Sequence, residues 1–155
     1  MKHLTLIAAA FAAAVGSTSG ASVAANTPLG TLRQAASDFN TGNYAAWAGA
    51  CESSAMVTDD FAPYTWSGPG ACHRWYVAWQ NFTKAHGINN MTVLFGAPIH
   101  MEIGANTAYV VLPAALHFNQ HGKPARMTGS VIAIVLHKGI SGDWKMTAWT
   151  WADGK

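Results

Sequence analysis

The sequence predicts an α+β fold in which three N-terminal helices pack on a strongly curved antiparallel sheet that forms a cone with an internal pocket. The second half of the chain consists of apolar-rich stretches separated by turn residues, as in antiparallel strands joined by hairpins. The first half instead places apolar residues at helical spacing. Helices followed by strands favour an α+β layout with the helices on one face of the sheet.

The individual elements follow from the same two periodicities. Three helices are predicted, over 27–42, 44–53 and 71–87. Between the second and third helix we expect an extended stretch and then a loop, at 55–61 and 62–70. Four strands are predicted after the helices, at 91–103, 107–118, 125–138 and 143–151.

The N-terminal segment is predicted to lie outside this domain. A short basic region is followed by the apolar run 4–15 and the small residues 16–25, which is the three-part layout of a secretory signal peptide. The alternative is a frayed N-terminal helix. The sequence therefore predicts that 1–25 is removed and that 26–155 is a single exported domain, periplasmic or extracellular, without a membrane anchor.

Composition narrows the classes of partner. The chain has nine Lys and Arg against seven Asp and Glu, and no basic stripe, which argues against a nucleic-acid partner. Only 10% of residues are charged, while Trp occurs seven times. A large part of the surface or of an internal pocket is therefore expected to be apolar, and a homodimer face and a cavity would both account for it.

Two cysteines, Cys51 and Cys72, are predicted to form a disulfide, because export leads to an oxidising compartment. The bond would join the end of one helix to the start of another. Two free buried thiols and a metal pair are the alternatives. The spacing is poor for zinc, and the sequence predicts no metal site and no cofactor.

Four segments resemble the SnoaL-like branch of the nuclear transport factor 2-like (cystatin-like α+β cone) superfamily. They are FNTGNYAAWAGACESSAMVTDDF, FAPYTWSGPGACHRWY, FNQHGKPARMTGSVIAIVLHK and GDWKMTAWTW. The resemblance implies a cavity between the sheet and the helices, and dimerisation through the outer sheet face. Members include ketosteroid isomerases, dehydratases, polyketide cyclases, hydrolases and non-catalytic binding domains, so the fold does not define the activity.

Asp59 and Asp60 are the first candidate site residues. In the isomerase branch a carboxylate just after the second helix is the general base, and Asp59 in VTDD is the closest match. That chemistry needs an apolar site that raises the pKa of the carboxyl. It also needs a Tyr on the first helix, where this chain has Ala35 or a neighbour, so steroid isomerisation is disfavoured. The alternative is that both aspartates make loop or cap hydrogen bonds.

Two histidines in predicted strands are the second candidates. A dehydratase-type site in this superfamily uses two inward His with an Asp and Tyr residues, and His117, His100 and Tyr64 could complete such a set around Asp59. His117 is the second catalytic candidate. The alternative is that each His is structural or lies at the surface, because a register shift of one residue turns every side chain of a strand to the opposite face.

Aromatic residues form the third candidate set. The loop, the third helix and the last strand contribute the residues that would bind a flat or apolar molecule, Tyr64, Trp66, Trp75, Trp79, Trp149 and Trp151. The alternative is that these side chains simply pack in the core. If Trp149 and Trp151 lie on the outer face of the sheet, they would instead form a dimer interface.

The hypothesis that combines these observations is an exported domain that binds a small apolar or aromatic molecule in an aromatic pocket. The first alternative is a lyase, isomerase or hydrolase that uses Asp59 with a pocket His as acid and base. The second alternative is a dimeric interaction domain.

Overall fold

The computed structural model describes residues 26–154, so the predicted signal peptide lies outside the described residues. Within these residues there are three helices, α1 (Pro28–Asn40), α2 (Tyr44–Gly49) and α3 (Ala71–Ala85). The strands are β1 (Cys51–Thr58), β2 (Thr65–Ser67), β3 (Ile88–Phe95), β4 (His100–Ile103), β5 (Thr107–Gln120), β6 (Lys123–Lys138) and β7 (Trp144–Ala152). No helix within 26–154 is long and apolar enough to cross a membrane.

The seven strands form one sheet that does not close on itself. Its order is β2-β1-β7-β6-β5-β3, and β4 pairs with β5 beyond the end of β3. All pairings are antiparallel except β1 with β7, which is parallel. The predicted α+β class is confirmed. The parallel pair was not predicted, because it joins the first and the last strand and no hairpin pattern in the sequence reports such a pairing.

Curvature is introduced where the strand registers shift. The β3–β5, β5–β6, β6–β7 and β1–β7 ladders each contain one shift. Such bulges bend a strand and increase its twist, so the sheet wraps around the helices. The inner face then buries a continuous apolar core, in which the most deeply buried strand side chains larger than alanine include Val57, Val110, Leu112, Ile134 and Leu136.

The second helix is shorter than predicted. It ends at Gly49, and the chain enters β1 at Cys51, where the sequence suggested that the helix would continue to residue 53. The Met146 amide donates to the Ala50 carbonyl at 2.8 Å, so pairing with β7 begins directly after the helix. Tertiary hydrogen bonding therefore overrides the local helical pattern here.

The predicted disulfide is confirmed between Cys51 and Cys72. It joins the first residue of β1 to the first turn of α3, whereas the sequence suggested a bond between two helices. The bond therefore fixes the start of α3 against the strand that leads into the Asp59 turn.

The first helix is fixed at both ends. At its start, the Thr27 hydroxyl accepts from the Gly30 amide at 3.0 Å, which caps the helix. At its end, the Asn40 side chain makes two hydrogen bonds of 2.8 Å to the Val93 amide and carbonyl in β3. These bonds hold α1 across the inner face of the sheet, where it forms one wall of a cavity.

Candidate functional site

A cavity of about 340 Å³ lies between the three helices and the inner face of the sheet. α1 and α3 contribute Phe39, Trp75 and Trp79, and β7 contributes Trp149 and Trp151. Apart from two aspartates, the wall is almost wholly aliphatic and aromatic. Its size and composition are those of a site for a small organic molecule.

The aromatic residues of the wall are packed against one another. The Trp75 and Trp79 rings are stacked with centroids 6.2 Å apart, and Phe39 meets Trp79 edge to face at 5.0 Å. The Trp149 ring stands at 82° to the Trp75 ring, with centroids 4.8 Å apart. Because these contacts fix the rings relative to one another, the wall is a preformed aromatic surface with a corner between α3 and β7.

Asp59 and Asp60 line the cavity from the turn between β1 and β2. The turn is closed by the Asp59 amide, which donates to the Tyr64 carbonyl at 3.0 Å. Both oxygens of Asp59 accept hydrogen bonds: Oδ1 from the Asp60 amide at 2.8 Å, and Oδ2 from Trp75 Nε1 at 2.7 Å. The Asp59 carboxylate is therefore oriented by its own turn and by α3.

The two carboxyls have perturbed pKa values. Burial raises the pKa of Asp59, although the hydrogen bonds from Asp60 and Trp75 oppose that shift. Burial, hydrogen bonding to Asp153 and Asp59, and repulsion by the same two carboxyls raise the pKa of Asp60 to about 7. Near neutral pH the Asp60 carboxyl can therefore both take up and release a proton.

A third carboxyl, Asp153, lies just after β7. It accepts from Trp151 Nε1 at 3.0 Å and from the Ser130 hydroxyl at 3.4 Å. These two bonds hold Asp153 beside Asp60. The three aspartates therefore interact although one lies more than ninety residues from the others in sequence.

Trp149 has a different polar environment from Trp75. Its side chain is 5% exposed, and its Nε1 has no hydrogen-bond partner among residues 26–154. A buried indole N–H without a partner is uncommon and costs free energy. Of these two neighbouring tryptophans, only Trp75 therefore donates its indole N–H to a carboxylate.

The predicted histidines do not reach the cavity. On β5, Leu116 and Phe118 line the cavity, so His117 between them points to the opposite face. His100 is exposed on β4, where its Nε2 lies 3.2 Å from Glu102 Oε1. The expected set of Asp59 with two inward His is therefore corrected, since strand alternation turns both imidazoles outward.

Two of the predicted aromatic residues also lie away from the cavity. Tyr64 is 58% exposed in the turn after β1. Trp66 is buried in β2, where it packs against Phe61 at a centroid distance of 5.2 Å without lining the cavity. The structure brings together the remaining predicted ligand-binding residues and the first catalytic candidate: Asp59, Asp60, Trp75, Trp79, Trp149 and Trp151.

Several wall residues were not singled out from the sequence. They include Phe61, directly after the two aspartates, and Leu116 and Phe118, which alternate around His117. The alternation was visible in the sequence, but it does not say which set faces inward. Within 26–154, no three side chains among His, Cys, Asp and Glu are grouped so that they could hold a metal ion.

Comparison with solved structures identifies the fold. Similar structures include ActVI-ORFA from Streptomyces coelicolor, with 9% identity and a TM-score of 0.64 over 81% of this chain and 92% of that chain. An NTF2-like protein with a cystatin-like fold from Novosphingobium aromaticivorans has 13% identity and a TM-score of 0.62, over 79% and 77% of the two chains. A ketosteroid isomerase-like protein from Erwinia carotovora has 12% identity and a TM-score of 0.62, over 81% and 92%.

Neither the scan against protein families nor the search of curated proteins found a match. The chain has the nuclear transport factor 2-like, cystatin-like α+β cone fold, as its sequence predicted. At this level of identity the similarity defines the fold alone, so the activity has to be argued from the cavity.

Proposed function

We propose that this chain is an exported domain that binds a small apolar or aromatic molecule in the cavity between its helices and its sheet. The observation that carries the proposal is the preformed wall of packed tryptophans and phenylalanines around a volume of about 340 Å³. When an apolar molecule binds there, apolar surface of both the molecule and the cavity wall is removed from water, which is the main driving force for such binding.

Export is supported by two features. The segment 1–25 has the layout of a signal peptide, and the Cys51–Cys72 disulfide is of a kind that persists in oxidising compartments. N-terminal sequencing of the protein isolated from its host should give a mature chain that starts near Ala25 or Asn26. A chain that retains Met1 in the cytoplasm would contradict export.

A cavity-filling variant tests the binding site. Ala36 lines the cavity from α1, so Ala36→Trp would place a large ring in the space that a ligand needs. We expect the neutral fluorescent probe N-phenyl-1-naphthylamine to bind wild-type protein and to lose at least about tenfold in affinity for this variant, measured by fluorescence titration. The matched control is Ala85→Trp, at the exposed end of α3.

The two variants separate the possible results. Loss of binding in Ala36→Trp alone, with a cooperative unfolding transition retained, would support the cavity as the site. Equal affinity in both variants would place the probe elsewhere and would contradict the proposal.

A second candidate function is proton transfer at a carbon next to a carbonyl group, with Asp59 as the base. The observation that favours it is a carboxyl with a raised pKa in an apolar cavity, oriented by Trp75. Asp60, rather than a histidine, would be the second titrating group. Small cyclic ketones bearing an aromatic ring should then exchange their α-hydrogens in D₂O, and Asp59→Asn should abolish that exchange. An unchanged exchange rate in the variant would eliminate this candidate.

We also propose a homodimer that forms through the outer face of the sheet. The strand registers align Met56, Ala148, Val135 and Tyr109 in one row across that face. Met56, Val135 and Tyr109 are each more than a third exposed. Association of two such faces would bury this apolar row.

A further inference from the structure

The charged residues of the cavity wall are all acidic. Asp59 and Asp60 are its only charged residues, and no Lys, Arg or His lines it within 26–154. The ion pairs among residues 26–154 lie outside the cavity wall: His100 with Glu102, and His137 with Glu52. Asp59 thus has hydrogen-bond donors but no counter-charge.

Such an arrangement favours one class of ligand electrostatically. A negatively charged ligand would be repelled by Asp59, Asp60 and the adjacent Asp153. A neutral ligand would leave the Asp59 carboxylate desolvated without a counter-charge, which is unfavourable for a charged group. A cation would supply the missing charge.

The aromatic wall has the matching chemistry. Trp75 and Trp79 stack, and Trp149 stands nearly perpendicular to Trp75, so that indole rings bound the cavity from two directions. Tryptophan is the side chain whose ring attracts cations most strongly, and cages of aromatic rings bind alkylated ammonium groups. The carboxylates and the rings border the same space, because Trp75 Nε1 contacts Asp59 directly.

We propose that the molecule bound in this cavity carries a positively charged nitrogen, which lies between the Asp59 and Asp60 carboxyls and the rings of Trp75, Trp79 and Trp149. This inference rests on the proposed function, since it names the chemical class of the ligand for the same cavity. The ligand is accordingly an apolar or aromatic amine or quaternary ammonium compound.

The groups that set the charge at this position come from several parts of the fold. The turn after β1 contributes both aspartates, and α3 contributes the Trp75 N–H. Asp153 follows β7, and its donors are Trp151 on β7 and Ser130 on β6. No cation faces Asp60 from these elements, and its pKa of about 7 is raised by the other carboxyls. Asp60 therefore ionises as the pH rises through 7, and cation binding should strengthen over the same range.

The test compares two probes of the same shape. Phenyltrimethylammonium and tert-butylbenzene differ in one central atom, nitrogen or carbon, and in one unit of charge. Neither probe titrates, so any effect of pH on their binding comes from ionisable groups of the protein. Dissociation constants would be measured by tryptophan fluorescence with wild-type protein, Asp59→Asn and Asp60→Asn. The control is Asp143→Asn, an exposed carboxyl in the turn between β6 and β7.

At pH 8 we expect wild-type protein and the Asp143→Asn control to bind the cation at least about tenfold more tightly than the neutral probe. Asp59→Asn and Asp60→Asn should each reduce that preference at least about threefold, because each variant removes a negative charge that attracts the cation and disfavours the neutral probe. From pH 8 to pH 5.5 only cation binding should weaken. Should Asp59→Asn fail to fold, Asp60→Asn decides the question alone.

The contradicting results are distinct from one another. If both probes bind with equal affinity, or the neutral one more tightly, the cation proposal is overturned while the apolar binding site stands. A cation preference that both folded aspartate variants retain would overturn it as well. If neither probe binds, the proposed function itself fails.

Discussion

At the scale of single residues, the environment of Asp59 is set by partners that its sequence neighbours do not reveal. Its own turn provides the Asp60 amide, but the second donor, Trp75, comes from α3, sixteen positions later. The sequence could identify Asp59 as a candidate because two adjacent aspartates follow an extended stretch. It could not identify the indole that orients the carboxylate, since that contact depends on how α3 packs on the sheet.

Trp75 and Trp149 form a matched pair for measuring that hydrogen bond. Both are almost fully buried, at 6% and 5% exposed, but only Trp75 donates to a carboxylate. Trp75→Phe should lower the free energy of unfolding by about 1–3 kcal/mol more than Trp149→Phe, because a hydrogen bond to the partly buried Asp59 carboxylate is lost. Urea unfolding at pH 7.5 would give both values. Equal losses would show that the Trp75–Asp59 bond contributes nothing to stability.

Asp60 should make stability depend on pH in a defined direction. Its pKa is about 7 in the folded chain and 3.8 in the reference state, so folding favours the protonated form. The resulting stabilisation is complete below pH 4 and is lost as the pH rises through 7. Over this range the free energy of unfolding of Asp60→Asn should fall less than that of the wild type. Parallel curves, with Asp143→Asn as control, would contradict the raised pKa.

The side-chain direction of helix residues was easier to predict from the sequence than that of strand residues. Trp75 and Trp79 could be placed on one helix face from their spacing alone, and both line the cavity. His117 illustrates the opposite case. Its strand alternates apolar and polar side chains, and the sequence contains no signal that distinguishes the inner set from the outer set until the sheet is assembled.

At the scale of elements, short-range patterns predicted most boundaries, whereas long-range pairing determined the exceptions. The first and third helices and the hairpin from β5 to β6 lie close to their predicted positions, whereas α2 ends at Gly49, inside its predicted range of 44–53. The predicted strand 91–103 instead divides into β3 and β4, which pair with opposite halves of β5. Pro98 lies in the break, where it has no amide to contribute to a ladder.

The disulfide joins two of these elements and is expected to contribute to stability. It closes a loop with a sequence separation of 21 residues between β1 and α3. A double substitution, Cys51→Ser with Cys72→Ser, should lower the free energy of unfolding by about 3 kcal/mol because the unfolded chain gains freedom. Denaturation of oxidised wild type, reduced wild type and the variant would test this. A variant as stable as the oxidised wild type would contradict it.

At the scale of the whole molecule, the sheet separates two apolar surfaces. The inner face and the helices enclose the cavity, and Trp149 and Trp151 both lie on that side. The outer face carries Met56, Val135 and Tyr109. Trp149 and Trp151 are therefore not available for a dimer interface, and the proposed homodimer depends on the outer side chains of Met56, Val135 and Tyr109.

A charge placed on the outer row tests the homodimer. Val135→Glu would insert a carboxylate beside Tyr109, its cross-strand neighbour, and should convert the dimer to a monomer by desolvation and repulsion. Ile140→Glu, at a fully exposed turn position, is the control and should leave the dimer intact. Sedimentation velocity would measure both. A wild-type protein that is monomeric at high micromolar concentration would contradict the proposal.

The central claim is that the cavity is an open binding site, and a crystal soaked with bromobenzene tests it most directly. This neutral ligand requires neither the carboxylates nor a reaction, and its bromine is located by anomalous scattering. We expect a bromine peak inside the wall formed by Trp75, Trp79 and Trp149, with these rings in their present contacts. A cavity filled by its own side chains, with no peak between the helices and the sheet, would contradict the claim.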